Sequence, residues 1–221
     1  MIFPFASGWN EKTPDPEDQL RFFRRYADSY KNDVATLEAK LMAGGPSQDR
    51  YFRPYPVDNR KQLHWILSYM KKQNRDIREL EREIVPIDAE FSRIRKQYHD
   101  TYYLTLAGIF RRLVPYCGGS IPPGGTPAGY SNPLEFEAWI LRRDYLEALK
   151  NEIEPEVEIS VEVTRLLECD ESFIFLIPYA KEKQGYSPRD LYYAPDEIWW
   201  RHLVKKFGQP AGFAEIPMYL D

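Results

Sequence analysis

The stretch DNRKQLHWILSYMKKQNRDIRELEREIVPIDAEFSRIRKQY, residues 58–98, decides how this chain folds. Its side chains Leu63, Ile66, Met70, Gln73, Ile77, Leu80, Ile84, Ile87, Phe91, Ile94 and Tyr98 recur at alternating steps of three and four, and only Gln73 is polar. That spacing puts them on one narrow stripe of an α-helix, an a/d heptad seam. Pro86 lies inside the run and predicts a kink near Val85 rather than a stop, because the seam crosses it in phase. A helix over 58–98 would be about 60 Å long at about 1.5 Å per residue, so it is expected to protrude.

Upstream, Thr13-Pro-Asp-Pro-Glu-Asp18 reads as a helix start, with Asp15 as N-cap and Pro16 in the first turn. Gly44-Gly45-Pro46 is the stop. Between them Leu20, Phe23, Ala27, Tyr30, Val34, Leu37 and Leu41 keep the same alternation. The two seams predict a long antiparallel helical hairpin over residues 14–114, with helix one covering the Leu63 to Ile84 half. The Ile87 to Tyr98 part is then expected to be covered by another chain or by the C-terminal half.

Downstream, the uncharged Gly/Pro run over 115–132 reads as a linker. Asn132-Pro133-Leu-Glu135 opens another helix, with Leu141, Tyr145 and Leu149 on its apolar face. From Glu156 the period switches to two: Val157, Ile159, Val161 and Val163 alternate with polar residues, and Ser172 to Ile177 is a second apolar run. These predict an antiparallel β-hairpin, and Pro195 to Phe207 a last helix. The expected fold class is therefore α+β, predominantly helical, with a small C-terminal domain over 133–208. Apolar arms over 1–13 and 209–221 flank it.

Two cysteines, Cys117 and Cys169, make no disulfide framework and have no zinc spacing. No apolar run reaches the roughly 18 residues of a membrane span, and the N-terminus lacks a basic targeting region, so a cytoplasmic origin without membrane association is expected. The net charge of −4 argues against a general affinity for nucleic acid. The charge is polarised: residues 58–113 carry twelve basic and eight acidic side chains, residues 133–221 ten and eighteen. Lys71, Lys72, Arg75, Arg78 and Arg82 are interleaved with acids, the pattern of helix-flanking ion pairs rather than of a phosphate track.

No catalytic signature accompanies these elements. His64, His99 and His202 stand on separate segments without a second ligand at metal spacing, and the glycines of 118–125 lack the lysine of a phosphate loop. No metal or cofactor is expected. The sixteen Tyr, twelve Phe and five Trp instead point to contacts between elements or chains. Interface candidates are Phe3, Phe5, Trp9, Tyr51, Phe52, Tyr55, Ile87, Phe91, Ile94, Tyr98, Trp199, Trp200, Phe213, Ile216, Met218 and Tyr219. The expectation is a non-enzymatic assembly subunit that associates with itself and with other protein subunits through its seam and arms, such as a connector or neck component of a bacteriophage virion. The alternative is a regulatory module, an inhibitor or adaptor that grips its partner with the hairpin; an enzyme of unknown class ranks third.

Overall fold

A computed structural model describes residues 16–43, 56–116, 133–171 and 194–201. These residues form six α-helices, two short 3₁₀ turns and no strand. Helix α1 spans Pro16–Met42, α2 Pro56–Lys72, α3 Arg78–Gln97, α4 His99–Leu113 and α5 Pro133–Ile153. Helix α6 covers 160–171, and the 3₁₀ turns are Val114–Tyr116 and Trp199–Arg201.

Both seams are buried over most of their length, with Leu20, Ile87 and Tyr98 partly covered and Gln73 exposed. Phe23, Ala27, Tyr30, Val34, Leu37 and Leu41 of α1 pack with Leu63, Ile66, Met70, Leu80, Ile84, Phe91 and Ile94 in one core. Helix α2 buries a wider face, adding Val57, Trp65 and Leu67, because α1 and α5 both lie against it. Cross-links fix the directions. Asn59 donates to Asp33 (2.7 Å) and Arg75 to Gln19 (2.8 Å), which makes α2 antiparallel to α1. Arg24 pairs with Glu83, Tyr30 with Asp88 (2.7 Å) and Glu38 with Arg93 (2.7 Å), which makes α3 parallel to α1.

The single long helix expected over 58–98 is two helices. The chain leaves α2 at Gln73, the one polar member of the seam, and Asn74 adopts a left-handed conformation (φ 56°). The Arg75 N–H reaches the Met70 carbonyl (3.1 Å) and the Asn74 N–H that of Lys71 (3.0 Å), the paired bonds of a Schellman C-cap. Asp76 then accepts the Arg78 N–H (3.1 Å) at the start of α3. Pro86, where a kink was expected, lies inside α3 on its exposed side, where water can satisfy the carbonyl that loses its donor. Asn74→Ala is expected to cost about 1 kcal/mol in urea unfolding and Asn74→Gly to cost nothing, because a Cβ resists positive φ more than Asn or Gly does. Equal stability of the Ala and Gly variants would contradict this turn.

The expected β-hairpin is overturned. Val157, Ile159, Val161 and Val163 lie in a turn and the first residues of α6. The Glu158 carboxylate accepts the Ser160 N–H (2.8 Å), and Val163 N–H bonds the Ile159 carbonyl (2.9 Å). Burial follows a helical line, Ile159, Leu166 and Asp170 inside with Val163 partly covered, whereas Val161 is 59% exposed. Packing on α4 and α5 thus overrides the strand preference of the branched residues. Ser172 to Ile177, the linker from 117 to 132 and both arms lie outside the described residues. Of the expected last helix, the described part is an irregular turn from 194 and the 3₁₀ turn Trp199–Arg201.

Helix α1 contacts α2 and α3, α5 contacts α2 and α4, and α3 bends into α4 at Tyr98. The five helices therefore enclose one interior. Among the described residues, no helix is long and apolar enough to cross a membrane.

Candidate functional site

At the centre of that interior stands Phe91, 1% exposed. Tyr30 from α1 and Tyr102 from α4 meet its ring edge-on, with centroids 6.0 and 5.9 Å away. The guanidinium groups of Arg60 and Arg95 each lie 5.8 Å from the ring centre. Each tyrosine and each arginine also shares a carboxylate. Tyr30 Oη donates to Asp88 Oδ1 (2.7 Å), which accepts Arg60 Nε (2.9 Å). Tyr102 Oη donates to Glu152 Oε1 (3.2 Å), which accepts Arg95 Nη1 (2.8 Å). Burial, then the neighbouring carboxylate, holds both phenols far above the ordinary tyrosine range. These tyrosines stay protonated as donors and do not serve as bases.

A second cluster surrounds Asp144 on α5, which is 1% exposed. Its carboxylate accepts the Trp200 indole N–H (2.7 Å), Arg201 Nε (2.8 Å), a second nitrogen of Arg201, and Gln62 Nε2 (3.3 Å). Lys61 donates to the Asp144 carbonyl and pairs with Asp58 (3.0 Å). Burial alone would raise the Asp144 carboxyl, but Arg201 and Lys61 outweigh it and keep it below the usual range. One residue along, Arg143 stacks 3.9 Å over the Trp200 ring and binds Asp170 of α6 through two nitrogens (2.7 and 2.9 Å). Glu147 closes the set on Arg143 (2.9 Å). The cluster joins α2, α5, α6 and the Trp199–Arg201 turn.

Of the interface candidates, Phe91 and Ile94 are buried in the chain's own core, and Ile87 and Tyr98 are partly buried against it. This part of the seam, expected to be covered by another chain or by the C-terminal half, packs against Tyr30 of α1 and Tyr102 of α4. Trp200 is the indole held by Asp144, and Trp199 lies in the same turn. Phe3, Phe5, Trp9, Tyr51, Phe52, Tyr55, Phe213, Ile216, Met218 and Tyr219 lie outside the described residues. His64 is exposed on α2, and His99 lies on Tyr103 between Asp100 (3.0 Å) and Glu156 (3.4 Å). Among the described residues no group of three His, Cys, Asp or Glu is placed to hold a metal.

The sequence reading passed over Asp88, Asp144, Glu152 and Asp170. One signal was present: Ile140, Asp144 and Ala148 share a line of α5 at steps of four, so an acid stands among buried apolar neighbours. Compared with known proteins, the chain matches no protein-family model, no curated protein and no solved structure.

Proposed function

We propose that this chain is a structural subunit that associates with copies of itself and has no catalytic role. The observation that carries the reading is the Asp144 cluster. A fully buried carboxylate, an arginine and an indole fasten the Trp199–Arg201 turn to α2 and α5, and Arg143 fastens α6 beside it. Buried ion pairs are costly to form and are retained where they specify one arrangement. A fixed arrangement of outward surfaces is what a building block of an assembly needs. The tyrosine–carboxylate–arginine sets about Phe91 serve the same end, since each ionic group there is spent on another helix. Because Phe91 and Ile94 are occupied within the chain, association is assigned to the outer helix surfaces, where Val85, Leu104, Val161 and Leu167 are more than half exposed.

Sedimentation velocity of the full chain over a concentration series is expected to give species larger than 26.1 kDa, growing with concentration. A single monomeric species up to about 100 μM, well above working affinities for assembly contacts, would overturn the proposal.

A further inference from the structure

Helix α4 turns Tyr102, Tyr103, Leu106, Ala107, Ile109 and Phe110 inward. Opposite them Asp100, Leu104, Gly108 and Arg112 follow one another at steps of four, and all four are exposed. Residues at that step form one continuous ridge on a helix surface. Leu104 is 64% exposed, and a β-carbon at Gly108 would meet nothing within 4 Å. The chain's own packing therefore does not require glycine at 108, although glycine in a helix interior is less stable than alanine. The ridge carries an apolar knob and, one turn further on, a notch of bare backbone.

The ends of this ridge differ in sign. Arg112 makes no ion pair among the described residues, unlike Arg111 beside it, which is held by Glu162 (3.2 Å). Asp100 is 93% exposed and gives one oxygen to the neighbouring His99 (3.0 Å). A carboxylate accepts several donors, so a guanidinium can join it without displacing the histidine. Asp100 and Arg112 stand six positions before and after Leu106, and Leu104 and Gly108 stand two before and after it. Turned end for end about that level, the ridge is its own complement: knob meets notch and anion meets cation.

We propose that α4 is the self-association surface, packing antiparallel on α4 of a second copy across a two-fold axis, with Leu104 of each copy seated over Gly108 of the other and Arg112 of each reaching Asp100 of the other. This rests on self-association as the function. Ridges of this step align when two helices cross at about −50°, the commonest class of helix packing, and bare backbone at the crossing lets the axes approach closely. The contact joins one patch to itself, so it is isologous and closes a dimer. Charge sets the direction, because parallel pairing would place Asp100 against Asp100 and Arg112 against Arg112.

The test uses the full chain in sedimentation velocity, with melting curves of each variant. Gly108→Leu fills the notch, so it is expected to weaken association about tenfold or more, while its melting temperature stays at or above the parent's because leucine is the better helix former. Arg112→Asp should weaken association about tenfold, and adding Asp100→Arg to it should restore association to within about threefold of the parent, since the reversed ridge matches itself again. Parent-like association of Gly108→Leu, or an Arg112→Asp defect that Asp100→Arg does not repair, would overturn this contact while leaving self-association standing. A clear fall in the melting temperature of Gly108→Leu would also overturn it, by showing that the glycine serves the chain's own packing. A parent that is monomeric throughout would overturn both proposals.

Discussion

Asp144→Ala is expected to destabilise the fold by about 3–5 kcal/mol, a large part of the whole folding free energy of a domain this size. The loss does not come from the carboxylate's own attraction alone. Arg201 (4% exposed) would be left buried without its counter-charge, and the Trp200 N–H and Gln62 amide would lose their acceptor. Asp144→Asn keeps the shape and one acceptor, so it should cost less. Adding Arg201→Met to Asp144→Ala should recover part of the loss, because removing both charges removes the unpaired one. Urea unfolding measures all three; an Asp144→Ala variant within about 0.5 kcal/mol of the parent would show that the cluster does not hold the turn.

The same cluster sets an acid limb. The folded-state pKa of Asp144 is depressed, so its contribution is full above the ordinary carboxylate value, about 4, and fades as pH falls through the lower folded value. In Asp144→Asn that fading should be absent, which comparison of unfolding curves between neutral and acid pH checks.

How much of this was legible depended on whether a feature was local. The seams were, since burial of Phe23, Tyr30, Leu63, Ile84 and Phe91 follows from a period that each helix carries in itself. The starts at Pro16 and Pro133 were legible for the same reason, as proline in a first turn is a local rule. The break after α2 was also written locally, in Gln73 and the left-handed Asn74, but the unbroken heptad phase masked it. The β-hairpin misled because alternation over seven residues fits a strand and also the start of a helix whose inward line is Ile159, Val163, Leu166 and Asp170. Packing against α4 and α5 decides between them, and a local pattern does not contain it. The buried acids were the least legible. Asp88, Asp144, Glu152 and Asp170 take side-chain partners 27 to 82 residues away, and such pairings exist only once the helices have been arranged.

Phe91→Ala separates the two roles that the heptad seam allows. If Phe91 were a knob for another chain, its loss would dissolve an oligomer and leave the monomer's stability near that of the parent. Its ring instead fills the meeting point of α1, α3 and α4, touched by Tyr30, Tyr102 and two guanidinium groups. Truncation removes the buried ring and opens a cavity that neighbours of this size fill poorly, so the expected cost is about 3–5 kcal/mol. It also strips Arg60 and Arg95 of the π face they lie over, while their carboxylates remain. Phe91→Leu keeps most of the volume and should cost clearly less. Because the loss is intramolecular, the fall in melting temperature should be the same at low and high protein concentration, whereas an interchain seam would make it concentration-dependent. A stability loss that vanishes on dilution would return Phe91 to the interface role that the seam first suggested.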